Sequence, residues 1–291
     1  MAAQKVIGVI GLGSIGARHA KNLEALGCKV IGYDPQLSAQ DNRLPPLVDV
    51  VAVSEALVIA SPTNHHYHHI FDCSSKPLFV EKPLTHGPTT LFDHNWEAIK
   101  MVGYNLRFHS CVIQAQKWLL HNAIGKPLWA NFTCAQYNDR PNYLRDGVIL
   151  NWSHEIDLAC YLLGDCRVAA SSTRLTDGKD DMTDILLTHD NGCRTTVHLD
   201  YLTRPEYRGF VIAGDKGVIE VDLPNRTAKL SPHGDYVSFE VDQGGSYDED
   251  YKTEMQAFLD RIDGKTTLGC TGEEALKVLE ICLEVRKQAG L

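Results

Sequence analysis

The chain has 291 residues, 44% of them hydrophobic and 22% charged, with a formal net charge of −9. That length fits two domains of ordinary size, and no apolar run reaches the roughly 18–20 residues needed to span a bilayer. With no basic tract, nucleic acid and anionic membrane are not expected partners.

The opening run MAAQKVIGVIGLGSIG does not read as a signal peptide, because its apolar stretch passes straight into a glycine-rich turn. Val6 to Ile10 is a β-branched, almost wholly apolar run, the pattern of a strand covered on both faces. Gly11, Gly13 and Gly16 follow as G-x-G-x-x-G. Helical spacing then runs from Ser14 to Leu26, and KVIGYD is a second strand ending at Asp34. Strand, turn, helix and strand within about thirty residues give the glycines their meaning. Gly11 permits the tight turn, Gly13 lets backbone approach a pyrophosphate, and Gly16 lets helix and strand pack closely. Ser14 and Ile15 open the helix, whose free N–H groups and positive dipole end suit phosphate. Asp34 is placed to accept hydrogen bonds from ribose hydroxyls, and its charge would oppose a 2′-phosphate, so NAD is expected rather than NADP.

ALVIASPT reads as a further buried strand, HHYHHIFDC as the helix after it, and PLFVEKPL as another strand ending at Glu81, Lys82 and Pro83. The room between Asp34 and Asp49 predicts an abbreviated crossover. His65 and His69 are four apart on that helix, but no H-E-x-x-H pattern or nearby carboxylate completes a site, so no metal is expected. Lys82 lies at the carboxyl end of its strand, where open α/β sheets place their ligands.

Beyond residue 105 the pattern changes. SCVIQAQKWLLHNAIG is an amphipathic helix closed by Gly125, and KPLWANFTCAQY is a strand. ILLTHD-NG-CRTTVHLDYL and RGFVIAGDKGVIEVDLP are hairpins turning at residues 190–192 and 215–217. Short hairpins mean antiparallel pairing. The last helix has Thr271 as expected N-cap and Glu274 at the capping-box position. In NWSHEIDLACYLLG, residues Asn151, His154, Asp157 and Tyr161 are spaced 3, 3 and 4 and are expected to share one polar helical face. The nine cysteines are scattered and never spaced C-x-x-C, which predicts reduced thiols in a cytoplasmic protein, with Cys28, Cys73, Cys160 and Cys282 as small core residues.

GLGSIGARHAKNL, SPTNHH, EKPL, GYNLRF and NWSHEIDLACYLLG, in this order, together resemble the glucose–fructose oxidoreductase / inositol dehydrogenase (Gfo/Idh/MocA) family over nearly the whole chain. The resemblance implies an α/β protein with a Rossmann domain over residues 1–105. A second α+β domain with a largely antiparallel open sheet is expected over 106–291, ending in a terminal helix at 271–291. It implies hydride transfer with NAD to or from a secondary alcohol or ketone of a sugar, nucleotide sugar or cyclic polyol bound in the cleft between the domains. It also implies a homodimer or homotetramer formed through the exposed sheet. Ser61, Pro62, Thr63, Asn64, His66, Glu81 and Lys82 are then expected beside the cofactor. Lys82 also reaches the reacting oxygen, His154 transfers the proton, and Asp157 holds the imidazole tautomer. Tyr104, Arg107, Asn138, Arg140, Tyr143 and Asn151 are candidates for the substrate side. Many relatives carry an acid three or four residues before the histidine, where this chain has Leu150 and Asn151. That departure keeps two alternatives open: reduction of a non-sugar carbonyl or imine, and a catalytically silent NAD-binding sensor.

Overall fold

The computed structural model describes residues 4–40, 44–87, 96–137, 147–234, 239–242, 244–266 and 268–291. The chain divides into two compact units, residues 1–105 with 247–276, and 106–246 with 277–291.

The first unit begins with β1 (Val6–Ile10), α1 (Ser14–Ala25), β2 (Lys29–Tyr33), α2 (Pro35–Gln40), α3 (Leu47–Val53), β3 (Ala56–Ile59), α4 (Thr63–Cys73), β4 (Leu78–Glu81) and β5 (Ile99–Gly103). The strands form a parallel sheet in the order β2-β1-β3-β4-β5. Every residue of β3 and β4 is buried, including the charged Glu81 that ends the otherwise apolar β4. The link from β2 to β3 is the abbreviated one, two helices of six and seven residues. Because β2 and β3 lie on opposite sides of β1, the strand order reverses there, and a crevice opens beyond the carboxyl ends of β1 and β3.

The second unit contains α5 (Ser110–Leu120), β6 (Pro127–Ala135), α6 (Gly147–Asn151), α7 (His154–Leu163), β7 (Cys166–Thr176), β8 (Lys179–His189), β9 (Arg194–Asp200), β10 (Tyr207–Gly214), β11 (Gly217–Asp222), β12 (Thr227–Pro232) and β13 (Phe239–Asp242). Its eight-stranded sheet runs β13-β12-β11-β10-β6-β9-β8-β7. All neighbours are antiparallel except β6 and β9. The alternating burial of β8 and β9 shows one covered face, on which α6 and α7 pack, and one open face. Both expected hairpins form, β8–β9 and β10–β11. The β7–β8 hairpin turns at Asp177 and Gly178, both at positive φ. That D-G pair is a hairpin signal the sequence reading passed over.

Two helices close the chain, α8 (Tyr247–Ile262) and α9 (Gly272–Gln288). The second domain was expected unbroken to residue 291. Instead Tyr247–Leu276 belongs to the first unit, with α8 against α1. The capping box at the start of α9 is formed: the Glu274 N–H donates to Thr271 Oγ1 at 3.1 Å and the Thr271 N–H to Glu274 Oε2 at 2.8 Å.

One steric constraint sets the entry to the crevice. A Cβ at Gly16 would run into the carbonyl of Gly11. Gly16→Ala is therefore expected to destabilise the protein by about 1–3 kcal/mol, the range for forcing atoms into a packed site. It should also weaken dinucleotide binding, because the loop has to move. Urea unfolding and NADH titration check both, and an unchanged midpoint with unchanged affinity would show that the loop tolerates the methyl group.

Candidate functional site

The glycine loop is built by backbone geometry. Gly11 has φ 89°, and a Cβ there would meet the backbone of Ser61 at 2.7 Å. Its N–H donates to the Tyr33 carbonyl at 2.8 Å, tying the loop to the end of β2. Asp34 lies at that end: Oδ2 accepts the Leu12 N–H at 2.9 Å, and Oδ1 accepts from Gln36 and Leu37 at 2.9 and 3.3 Å. One carboxylate thus orders both the glycine loop and the start of α2. Gly13 and Ser14 are exposed, nothing lies within 4 Å of the Cβ that Gly13 lacks, and α1 has neither a side-chain cap nor an acid in its first turn. Exposed backbone, an uncapped helix start with Ile15 behind it, and a carboxylate at the strand end fit a dinucleotide.

The second wall of the crevice follows β3. Pro62 and Asn64 are exposed, Thr63 is half-buried, and Ser61 is buried, its Oγ 2.8 Å from His69 Nδ1. His66 was expected beside the cofactor, but it is buried and both ring nitrogens face backbone carbonyls, Ser61 O at 2.8 Å and Pro83 O at 3.0 Å. The ring lies between the Ser61 and Pro83 segments. A neutral ring has one N–H and satisfies one of these carbonyls. Burial pushes the imidazole below its ordinary pKa, against the pull of the carbonyls and Glu81. Lys82 is half-buried at the end of β4.

Glu81, expected beside the cofactor, makes its own contacts within the first unit. It is buried, with Oε1 2.6 Å from His19 Nε2 and Oε2 accepting the Lys82 N–H at 3.2 Å. Glu254 of α8 joins them: His19, Glu81 and Glu254 each bring one ligand-type atom within 4.8 Å of the others. Glu254 has no exposed surface, and among the described residues neither carboxyl oxygen has a hydrogen-bond partner. Burial, then the charges of Glu81 and Asp250, hold its pKa well above the usual carboxylate range. Nothing local in the sequence signals this group, since its members come from α1, β4 and α8.

In the second unit the polar stripe is not one continuous helix. α6 ends at Asn151, Trp152 and Ser153 form a turn, and α7 starts at His154. His154 is 8% exposed and Asp157 fully buried. Asp157 was expected to orient the imidazole, yet both its oxygens accept from Arg107: Nη2 to Oδ1 at 2.7 Å, Nε to Oδ2 at 3.0 Å and Nε to Oδ1 at 3.2 Å. The Arg107 guanidinium also lies over the Tyr161 ring at 4.5 Å. Arg107 is therefore an interior anchor of α7 rather than an open substrate contact. Asn151 Nδ2 donates to Tyr201 Oη at 2.6 Å. Glu155, which the sequence reading did not single out, is buried and paired with Arg208 at 2.7 Å. Tyr104, a substrate candidate, is 1% exposed within the first unit. Asn138, Arg140 and Tyr143 lie outside the described residues.

Comparison with known proteins gives two domain matches. Residues 1–75 match a family described as D-isomer specific 2-hydroxyacid dehydrogenase, NAD binding domain, and residues 112–220 match the GFO/IDH/MocA C-terminal domain. The myo-inositol 2-dehydrogenase of Thermotoga maritima is 24% identical over 97% of this chain and 95% of its own length. The D-apiose dehydrogenase of Rhizobium rhizogenes is 30% identical over 47% of this chain and 44% of its own. Among solved structures, a levoglucosan dehydrogenase in complex with NADH superposes with a TM-score of 0.87 at 19% identity, over 99% of this chain and 97% of that one. The UDP-N-acetylglucosamine 3-dehydrogenase of Acidithiobacillus ferrooxidans gives 0.83 at 22% identity, over 98% and 97%.

The buried carboxyl yields a pH signature. Folded Glu254 keeps its proton above the ordinary glutamate range, where the unfolded residue has lost it, so its contribution to stability is present at low pH and falls as pH rises through that window. Glu254→Gln, an uncharged near-isostere, is expected to gain stability relative to wild type as pH rises above the ordinary glutamate range. Urea midpoints measured across that rise check this. A constant difference between the two proteins would mean that Glu254 does not titrate there.

Proposed function

We propose, for a chain that belongs to the Gfo/Idh/MocA family of oxidoreductases, an NAD-dependent dehydrogenase acting on a secondary alcohol or ketone of a sugar, nucleotide sugar or cyclic polyol. The observation that carries this reading is the glycine loop at the β1/β3 switch point, with an exposed backbone at Gly13 and the Asp34 carboxylate at the neighbouring strand end. Relatives named for inositol and apiose support the substrate class. Assembly as a homodimer or homotetramer through the open sheet face, which exposes Trp129 and Leu186, is part of the same proposal, as is a cytoplasmic location.

Alcohol oxidation needs a hydride acceptor and a base for the hydroxyl proton. Bound NAD supplies the acceptor. The backbone N–H groups at the start of α1 hold its pyrophosphate, and Asp34 holds the adenosine ribose. His154 takes the hydroxyl proton at a ring nitrogen, the usual part of an imidazole in general acid–base catalysis. The Lys82 ammonium stabilises the oxygen as negative charge develops on it. The Arg107–Asp157 pair acts through α7, fixing the helix that carries His154. Asn151 cannot serve as a base near neutral pH, so the proton falls to His154.

Asp34→Ser is expected to weaken NADH binding and narrow its advantage over NADPH. Fluorescence titration with both cofactors reads this, and a wild-type protein that prefers NADPH would sink the assignment.

His154→Asn is expected to lower kcat by roughly 10²–10⁴-fold while leaving NADH affinity unchanged. Lys82→Ala should likewise depress turnover more than cofactor affinity. Steady-state rates over a panel of polyols and sugars, paired with NADH titration, separate the outcomes. Cofactor binding with no turnover on any member of the panel would favour the sensor over the dehydrogenase.

A further inference from the structure

α7 ends at Leu163, and the chain reverses through Gly164, at φ 88°, into β7. The reversal brings Cys160, in the last turn of α7, beside Cys166, the first residue of β7, with their sulfurs 3.6 Å apart. The other seven cysteines are buried, whereas these two are partly exposed. Both line a cavity of about 380 Å³ with Arg167, Val168, Lys277 and Ile281. No motif announces the pair, because the spacing matches no thiol signature and Cys160 reads as a core residue. The fold supplies the proximity.

We propose that Cys160 and Cys166 are a reversible disulfide site, oxidised by a peroxide that enters through this cavity. An S–S bond measures about 2.05 Å, so the sulfurs must close by roughly 1.5 Å, within reach of side-chain rotation at two partly exposed residues. The backbone has already brought the ends of this short loop together, so little chain entropy remains to be lost.

The two thiols are chemically unequal. With Cys160 as the donor of the hydrogen bond that the two thiols share, Cys166 is held below its ordinary pKa, while the same contact, with burial behind it, pushes Cys160 up. Cys166 is therefore the attacking sulfur. Its thiolate bonds to one peroxide oxygen, the O–O bond breaks, and hydroxide leaves, giving a sulfenic acid at Cys166. The Cys160 sulfur then attacks Cys166 Sγ. The S–S bond forms, the S–O bond breaks, and the departing oxygen leaves as water with the last thiol proton. In sum, two thiols and one hydrogen peroxide give one disulfide and two waters, with two electrons passing from sulfur to peroxide. A reducing thiol reverses the bond, as expected for the transient disulfides of reducing compartments.

This site is independent of the dehydrogenase proposal, and its test needs no activity. The reduced full-length protein is treated with hydrogen peroxide, and its intact mass and unreduced peptide map are recorded. The expected product has lost the mass of two hydrogen atoms, carries one cross-link joining Cys160 to Cys166, and is restored by dithiothreitol. Cys160→Ser should stop at a sulfenic acid on Cys166, captured by dimedone. Cys166→Ser should leave Cys160 unmodified at the same dose. Oxygen addition without that cross-link in the wild-type protein, or a cross-link through another cysteine, would overturn the proposal. The wild-type map alone decides it, even if a variant folds poorly.

Discussion

A backbone carbonyl occupies the space that a side chain at residue 16 would fill, and the first unit is organised around that contact. It lets α1 start directly over the end of β1. The same economy of space recurs at Gly11, whose missing Cβ admits the backbone of Ser61. Two loops that follow adjacent parallel strands thus meet without side chains between them. Asp34 ties the first loop to β2, and the His66 ring lies between the second and the segment after β4. The crevice is therefore made of main chain held by a few polar side chains, which is what a ligand bound through phosphate oxygens requires.

The second unit uses charge where the first uses glycine. Arg107 and Asp157 are almost wholly buried, joined by three contacts, and capped by the Tyr161 ring. Such a pair adds little net stability over an apolar packing, but removing one member strands a buried charge, at about 3–5 kcal/mol. Its value is positional. The arginine lies just before α5 and the carboxylate in the first turn of α7, so the pair fixes how α7 is turned on the sheet. Glu155 and Arg208 do the same from the neighbouring position, binding α7 to β10.

What was legible in the sequence was local. The glycine loop, the acid closing β2, the turns at residues 190–192 and 215–217, and the capping box of α9 are each specified within a few residues, and all formed. What was not legible depended on partners far along the chain. Asp157 has the spacing of a residue that attends His154, and it also takes a partner 50 residues upstream that spacing does not reveal. Glu254 looks like an ordinary helix-surface acid until α8 packs beside α1 and its carboxyl is shut in with Glu81 and His19. The polar stripe was read as one helix because spacing alone does not register the turn at Trp152 and Ser153. Tyr104 and Arg107 are substrate-side candidates by resemblance, and burial gives both a different setting.

The chain passes from one unit to the other after residues 105, 246 and 276. The first unit is therefore discontinuous, and that has a consequence for synthesis. A ribosome releases all five strands of the parallel sheet before it has made α8, which supplies Glu254 to the buried cluster and packs on α1. During that interval the nascent sheet lacks one of its covering helices, while the whole sheet of the second unit is being added. The usual rule that an N-terminal domain finishes folding first does not hold for this order of elements. The nucleotide-binding half is completed nearly last, when little more than the terminal helix remains to be made.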